Sequence, residues 1–399
     1  MDLEKAVRLD AVAAARRHIH RNDRETVERM NAIVRIPAPP FGEAKRAEWV
    51  SNAFSRIGLR GVSIDEVGNV YGHIGDGASD RGAVILSAHL DTVFPADTPL
   101  DLRKDGARVF APGIADNARG VAAMITIAEA MMRHPVETVH PIVFIATVGE
   151  EGVGDLRGVK HIFRPGSAWR DAAAFISLDG TGRRRIVNRA IGSRRFHVLA
   201  TGPGGHSWAD WGVANPIHAI GSAIGRLNQL FIPRTPRTSL SVGRVSGGTS
   251  VNAIPAEAWM EIDLRSEAAA NLADTETQLR DAITDAIDEA NARRRRGTPA
   301  LNVEVRVIGD RPTGETPPNH PLIRAARAAT RILGEQSELV ASSTDANIPI
   351  ALGIPAIAIG AGGDSGGSHT VEEWYSNEGG PEGIERVLLT VLGAAVVTA

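Results

Sequence analysis

The stretch AVILSAHLDTVFP, residues 83–95, decides the predicted fold of this 399-residue chain. It begins with a run of small and branched apolar residues, which is typical of a strand buried on both faces of a parallel sheet. The run ends in His89, Leu90 and Asp91, and Pro95 closes it. In open α/β sheets, functional side chains lie beyond the carboxyl ends of the strands. We therefore expect His89 to bind a metal and the Asp91 carboxylate to orient its imidazole.

The composition predicts an ordinary globular protein, and the length favours two domains. The formal net charge of −3 gives no reason to expect nucleic acid or a membrane surface as a partner. The chain has no cysteine, so any metal must be bound by histidines and carboxylates. The N-terminus is charged throughout, and no apolar run approaches the ~18 residues of a membrane span. These features predict a cytoplasmic protein without a signal peptide.

Two later strands repeat the pattern of an apolar run that ends in acidic residues. PIVFIATVGEEG predicts a buried strand over Ile142–Val148 that is followed by Glu150 and Glu151, and AAAFISLDG predicts a strand that is followed by Asp179. Each acidic pair or residue, taken alone, also fits a solvated turn. Three buried strands that end in His-x-Asp, Glu-Glu and Asp instead indicate one functional edge of the sheet.

Two further candidates lie in loops. Asp116 precedes a long apolar helix that is predicted to reach His134, and taken alone it is better explained as the N-cap of that helix. His369 lies in the Gly/Ser-rich stretch GGDSGGSH. The candidate metal ligands are therefore His89, Asp116, Glu151, Asp179 and His369.

Five nitrogen and oxygen ligands can hold two divalent ions if one carboxylate bridges them. Two such ions can activate a water and polarise a carbonyl, and Glu150 would serve as the general base. The residue types alone therefore predict hydrolysis of an amide bond.

The middle of the chain has a different pattern. Residues 191–308 alternate as strand, helix, strand, strand, helix and strand, which predicts an inserted α+β domain. Residues 1–190 and 309–399 are predicted to form an α/β catalytic domain with a mostly parallel central sheet. The Arg293–Arg296 run is interpreted as the solvated end of a helix and not as a nucleic-acid site.

At these residues the chain resembles the dizinc metallopeptidases that include peptidase T, carboxypeptidase G, acetylornithine deacetylase and succinyl-diaminopimelate desuccinylase. The resemblance rests on seven motifs in this order: HLDT, GIADNARG, GEEG, SLDG, GGHS, VNAIPAEAWMEIDLR and SHTVEEW. It implies a zinc-aminopeptidase-like catalytic domain and an inserted lid domain that often mediates dimerisation. It also implies two zinc ions per chain, with manganese or cobalt as alternatives, and a homodimer.

The resemblance implies a role for each motif residue. Asp116 would bridge the two metals, with His89 and Asp179 completing one site and with Glu151 and His369 completing the other.

The remaining roles follow in the same way. Glu150 would be the general base, and Asp91 would orient His89. In the inserted domain, His206 resembles the family histidine that stabilises the oxyanion. Asn252 and Arg265 resemble the substrate-binding pair, in which the arginine would hold a carboxylate.

The substrate class is less closely defined. Aspartate at the position of Asp179 is associated within the family with peptidases of free-amino-terminus peptides, and STDANIPIALGIP resembles peptidase T more than carboxypeptidase G. We therefore predict a di- or tripeptidase or an aminopeptidase. An N-acyl-amino-acid deacylase, an amidohydrolase or a carboxypeptidase on the same scaffold stays open. A serine hydrolase is disfavoured because GGDSGG belongs to all-β proteases, and a non-catalytic binding protein because no motif residue is missing.

Overall fold

The computed structural model describes residues 3–74 and 82–398, and the chain divides into two compact units. Unit 1 comprises residues 1–190 and 315–399, and unit 2 comprises residues 191–314. The sequence placed the second boundary at residue 308 instead. The difference arises because Gly309, Asp310 and Arg311 continue to pair with the neighbouring strand after a bulge.

The strands follow one another along the whole chain. Their bounds are β1 Arg60–Ile64, β2 Val70–His73, β3 Val84–His89, β4 Arg103–Asp105, β5 Arg108–Phe110, β6 Ile142–Thr147, β7 Ala174–Leu178, β8 Arg185–Ala190, β9 Gly192–Thr201, β10 Gly205–His206, β11 Thr238–Gly247, β12 Ala253–Ile254, β13 Glu257–Ser266, β14 Asn302–Arg311, β15 Gly314–Glu315, β16 Glu338–Ser342, β17 Ala356–Ile359, β18 Asp364–Gly366 and β19 Trp374–Ser376.

The helices lie before β1, after β19 and between some of the strands. Their bounds are α1 Leu3–Ala6, α2 Asp10–Arg21, α3 Asp23–Val34, α4 Ala44–Ile57, α5 Arg119–Arg133, α6 Arg157–Ile162, α7 Pro216–Leu227, α8 Ala269–Ala292, α9 Pro321–Ile332, α10 Asn347–Ala351 and α11 Gly380–Ala395.

Unit 1 is built on a nine-stranded mixed sheet. The strand order is β1-β2-β6-β3-β7-β17-β8-β15, and β16 also pairs with β8. The central strands β6, β3, β7 and β17 run parallel, whereas β2 and β8 join them antiparallel. A second, four-stranded sheet has the order β18-β19-β5-β4. The prediction of an α/β fold with a mostly parallel central sheet is therefore confirmed.

The sheet is covered by helices on both faces, which explains its continuous apolar strands. All six residues of β3 and of β6 and all five of β7 are buried. Leu86 of β3 belongs to a core with α2–α5, α9 and α11, whereas Ile85 belongs to a core with α6 and α10. Alternate side chains of one strand thus fill two different cores, as period-2 geometry requires.

Unit 2 is a four-stranded antiparallel sheet with two helices against one face. The strand order is β11-β13-β9-β14, and α7 packs beside α8. Phe196, Val198 and Ala200 of β9 alternate into the core between this sheet and the helices. A separate two-stranded ribbon pairs β10 with β12.

Several element bounds differ from the predicted ones. The charged N-terminal stretch, for which no helix was predicted, contains α2, because Val12, Ala15 and Ile19 form a buried stripe. The helix that follows Asp116 begins only at Arg119, with Ala118 as its N-cap, so the N-cap interpretation of Asp116 is wrong. Among the helices of the described residues, none is both long and apolar enough to cross a bilayer.

Candidate metal centre

Three neighbouring parallel strands bring polar side chains to one edge of the central sheet. β3 ends at His89, in register with the last residue of β6, and Glu150 and Glu151 lie shortly after that strand. β7 ends beside β3 and is followed at once by Asp179. Because all three strands are parallel, their carboxyl ends meet at the same edge, as the sequence analysis expects.

Asp116 lies between two histidines. Its Oδ1 is 3.1 Å from Nε2 of His89, and its Oδ2 is 3.2 Å from Nε2 of His369. Nε2 of His369 is also 3.1 Å from Oε1 of Glu151. A carboxylate with one oxygen near each of two imidazoles is placed to bridge two cations.

The donor set fits a divalent cation. His89, Asp116 and Glu151 each offer one ligand atom, and the three atoms lie within 4.8 Å of one another. Although the buried atoms Nε2 of His89 and Oδ1 of Asp116 lie 3.1 Å apart, neither makes a hydrogen bond of acceptable geometry within the described residues. Buried polar atoms are nearly always paired in native proteins, and a cation held by both atoms would satisfy them.

The pKa shifts within the cluster also favour a bound cation. Burial alone would lower the pKa of His89, but the carboxylates of Asp116 and Asp91 raise it well above its usual range. Hydrogen bonds to Asp116 and Glu151 raise the pKa of His369 to about 10. Burial opposes ionisation of Asp116, yet the two histidines hold the pKa of this carboxyl below its usual range. The carboxylates thus favour positive charge on the two imidazoles beside them. A site that stabilises positive charge in this way can also bind a cation.

Asp179 is half-buried and belongs to the same electrostatic cluster. Burial and the nearby negative charge of Asp116 raise its pKa above the usual range. The amide of Asn117 donates a 2.7 Å hydrogen bond to the carbonyl of Leu178. This bond ties the segment that carries Asp116 to the strand end that carries Asp179.

Asp91 is buried beside His89, and its carboxylate also makes hydrogen bonds that were not predicted. Its carboxylate is 3.7 Å from Nδ1 of His89, beyond hydrogen-bond distance, and Nδ1 lies 3.1 Å from the carbonyl oxygen of Asp91 instead. The carboxylate accepts hydrogen bonds from the backbone N–H groups of Glu150 and Glu151, at 2.9 and 2.7 Å.

Glu150, the predicted general base, is a buried residue of the same cluster, at 6% exposure. Its negative charge is one of the influences that raise the pKa of His89. The hydrogen bond from its backbone to Asp91 fixes its place beside Glu151. A carboxylate in this position can exchange a proton with a water held at the metal cluster.

Two charged residues near the centre were missed. Glu373 is completely buried, and its carboxylate accepts hydrogen bonds from the backbone of the Asp116 segment. Arg46 is also buried, and Nη1 donates a 2.7 Å hydrogen bond to the carbonyl of Leu90, next to His89. The position of Glu373 inside the SHTVEEW motif was a usable signal, whereas the stretch around Arg46 carries none.

Two of the predicted unit 2 residues lie together. His206 and Asn252 belong to the β10–β12 ribbon and to the loop that enters it, and Ser207 donates its backbone N–H to the carbonyl of Asn252 at 3.0 Å. Nδ1 of the exposed His206 accepts the backbone N–H groups of Trp208 and Ala209, at 3.2 and 3.3 Å. Nδ1 is the acceptor in both bonds, which is the tautomer that leaves a proton on Nε2.

Arg265 lies at the opposite end of the same unit. It is near the end of β13, whereas the β10–β12 ribbon lies near the start of that strand at Glu257. Eight residues of strand separate the two ends by about 25 Å at ~3.3 Å per residue. Its Nε donates a 2.7 Å hydrogen bond to Asp263. One copy of unit 2 therefore cannot present Arg265 and His206 to the same small substrate.

A parallel sheet with a histidine-carboxylate cluster at its strand ends fits the class of metal-dependent hydrolases. The model of the peptidase family M20/M25/M40 matches residues 85–392, which include the candidate metal ligands. This chain belongs to peptidase family M20/M25/M40.

Two relatives show the same family likeness at the level of sequence. The succinyl-diaminopimelate desuccinylase of Corynebacterium glutamicum is 28% identical over 240 residues, which span 58% of this chain and 64% of that protein. The matched region therefore covers slightly less than two thirds of that relative. A putative succinyl-diaminopimelate desuccinylase of Mycobacterium tuberculosis is 28% identical over 347 residues, which span 85% of this chain and 90% of that one.

A solved structure shares the fold over almost the whole chain. The tripeptidase from Staphylococcus aureus superposes with a TM-score of 0.76 at 21% identity, over 94% of this chain and 99% of that one. At this identity the likeness establishes the fold alone.

Proposed function

We propose that this chain is a two-metal hydrolase that cleaves the amide bonds of small peptides. The observation that carries the proposal is the position of Asp116, whose two carboxylate oxygens lie 3.1 and 3.2 Å from the imidazoles of His89 and His369. In this proposal Asp116 is the bridging ligand. His89 and Asp179 complete one metal site, and Glu151 and His369 complete the other.

Zinc is the metal that we propose for both sites, with manganese or cobalt as alternatives, because imidazole and carboxylate ligands accept all three. Such ions, when bound, lower the pKa of a water and polarise the scissile carbonyl. Glu150 takes the proton of that water and returns it to the departing nitrogen. Asp91 supports this step because its carboxylate fixes the backbone of both Glu150 and Glu151.

His206 is proposed to stabilise the oxyanion. Because Nδ1 accepts two backbone N–H groups, Nε2–H is available to donate to a negatively charged oxygen. Asn252 is proposed to bind the substrate beside His206, and Arg265 to hold its carboxylate.

The separation of about 25 Å between His206 and Arg265 within unit 2 supports a homodimer. In such a dimer, His206 and Asn252 of one chain would act with Arg265 of the other chain on the same substrate. We also propose a cytoplasmic location and no nucleic-acid or membrane partner, in keeping with the net charge of −3.

A di- or tripeptide is the substrate class that we propose first, because Asp179 resembles the family position of peptidases that act on free amino termini. An N-acyl amino acid is the second candidate. It is favoured by the likeness to the putative desuccinylase of M. tuberculosis over 85% of this chain. The two classes share the metal centre and differ in the group that lies on the acyl side of the bond.

The deciding experiment measures the metal content of the full-length chain and the hydrolysis of di- and tripeptides and N-acyl amino acids. The assay is run before chelation, after chelation and after zinc, manganese or cobalt is restored. Two metals per chain and chelator-sensitive cleavage of free peptides are expected. Activity on N-acyl amino acids alone would select the second candidate, and full activity without metal would overturn the proposal.

A further inference from the structure

The carboxylate of Glu373 collects three backbone hydrogen bonds from the segment that carries Asp116. Its Oε1 accepts the N–H groups of Ala115 and Asp116, at 2.8 and 3.0 Å, and its Oε2 accepts that of Gly113 at 3.2 Å. Glu373 itself is completely buried, at 0% exposure. A buried carboxylate that accepts three backbone donors anchors the backbone it binds.

The segment needs such an anchor because it is not a regular helix. Asp116 and Asn117 have φ/ψ values of −120°/89° and −134°/34°, far from helical, and Gly113 has a φ of 75°. Some N–H groups of the segment bond to earlier carbonyls, as Ala118 does to Gly113 at 3.2 Å. Glu373 supplies the acceptors for N–H groups that have no such partner in a regular helix start.

Glu373 also connects this segment to the one that carries His369. Its backbone N–H donates to the carbonyl of Thr370 at 3.1 Å, and its carbonyl accepts the N–H of Ala111 at 3.0 Å. The next residue, Trp374, begins β19, which pairs with β5 just before the Asp116 segment. The main chain and side chain of Glu373 thus link the two loops.

We propose that Glu373 is a positioning residue of the metal centre. It holds the backbone of Asp116 so that one carboxylate oxygen faces each histidine. It also fixes the position of the His369 loop relative to that segment. This inference rests on the proposed two-metal function, because it assumes that Asp116 is a ligand. Partners that orient metal ligands commonly contribute 10- to 100-fold in metal affinity or activity.

The fold does not depend on Glu373 alone. Asn117 is separately tied to Leu178, and Arg119 donates hydrogen bonds to the carbonyls of Ala361 and Gly380 at 3.0 and 2.9 Å. These contacts would hold the start of α5 in a Glu373 variant. The expected loss is therefore in metal binding and rate more than in folding.

The test compares Glu373→Gln and Glu373→Asp with the wild type in the full-length chain. Glutamine replaces an acceptor oxygen with an NH₂ group that faces backbone donors, whereas aspartate keeps both acceptor oxygens on a shorter side chain. Glu372→Gln is the matched control, because the neighbouring Glu372 is exposed and pairs with Arg103. Val387→Ala, in the buried core of α11, is a control for a general loss of stability.

The readouts are the zinc stoichiometry and affinity, measured by competition with a chromophoric chelator, together with Tm, kcat and KM. We expect Glu373→Gln to bind at least one zinc about 10- to 100-fold more weakly and to lose kcat more than KM rises. Glu373→Asp should recover part of the affinity, and neither Glu372→Gln nor Val387→Ala should change it.

Two results would overturn the inference: wild-type zinc affinity in Glu373→Gln, or an equal loss of affinity in Val387→Ala at a matched Tm. If Glu373→Gln does not fold, wild-type zinc affinity in a folded Glu373→Asp variant that has lost Tm would also overturn it. A wild-type protein that binds none of zinc, manganese and cobalt would refute the proposed function instead, so the two failures are distinguishable.

Discussion

Oδ2 of Asp91 lies 2.7 Å from the backbone nitrogen of Glu151, and Oδ1 of the same carboxylate lies 2.9 Å from the nitrogen of Glu150. One buried side chain after β3 therefore fixes the two residues that follow β6. The proposed base and its neighbouring ligand share this support.

Replacement of Asp91 should consequently affect the Glu150–Glu151 pair as well as His89. In Asp91→Asn, the NH₂ group faces a backbone donor, and one buried N–H loses its acceptor. The free energy of unfolding should fall by about 1–3 kcal/mol for that unsatisfied group. The rate should fall by roughly 10- to 100-fold, as for other partners that orient metal ligands.

Denaturant unfolding and kcat measure the two effects, and Asp97→Asn, at an exposed aspartate, is the control. Wild-type kcat in a folded Asp91→Asn protein would contradict the importance of this support.

Glu150 and Glu151 are neighbours with different proposed roles, so their glutamine variants should separate proton transfer from metal binding. Glu150→Gln should retain both metals and lose about 10²- to 10⁴-fold in kcat, the usual contribution of a general base. Glu151→Gln should instead lose affinity at one metal site, because the neutral amide is a weaker ligand near His369. Metal analysis beside single-turnover rates distinguishes the two, and full activity in Glu150→Gln would exclude it as the base.

The sequence predicts the three strand ends because each apolar run is long, buried on both faces and closed by polar residues. It does not predict the hydrogen bonds that hold the neighbouring backbone segments in place. Glu373 and Arg46 act on backbone atoms of segments far away in the chain, and such contacts leave no periodic pattern. Asp91 was assigned to the correct edge beside His89, but the hydrogen bonds that its carboxylate accepts from the backbone of Glu150 and Glu151 were not predicted.

In unit 2, too, the sequence predicts some features of the fold and misses others. The alternating strands and the two helices follow from hydrophobic periodicity, and the β14 boundary was missed because a bulge carries the pairing past residue 308. The approximate separation of His206 from Arg265 follows only once the ribbon and β13 are placed in one unit. Sequence motifs indicate which residues act, but the fold decides which of them can act together.

Arg46 should be important for stability despite its charge. Nη1 donates to the carbonyl of Leu90 at 2.7 Å, and Nε and Nη2 donate to that of Ile36 at 3.1 and 2.7 Å. Burial lowers its pKa to about 10, so the guanidinium still carries its charge at neutral pH. Arg46→Met would leave two buried carbonyls without a donor and should lower the free energy of unfolding by about 3 kcal/mol.

Chemical denaturation checks this value, with Arg24→Met as the control because Arg24 is exposed and pairs only with Glu28. A change of less than about 0.5 kcal/mol in Arg46→Met, the level of ordinary surface substitutions, would contradict the prediction.

His206 should contribute to the rate and not to the fold. His206→Ala removes the proposed Nε2–H donor, and loss of one oxyanion donor typically lowers kcat by about 10²- to 10³-fold. Because the side chain is exposed, Tm should change little. His218→Ala, at an exposed histidine of α7, is the matched control. Equal kcat values for both variants would refute the oxyanion role.

A mixture of two inactive variants tests whether His206 acts across a dimer. In a heterodimer of His206→Ala with Glu150→Gln, one site combines an intact Glu150 with His206 of the other chain, and the second site lacks both. Random exchange of two-fold symmetric dimers makes half of the population mixed, so about a quarter of wild-type activity should return. Each variant is first mixed with itself to set the baseline. No recovery despite proven subunit exchange would mean that His206 serves its own chain, because then every site in the mixture lacks either the base or the oxyanion donor.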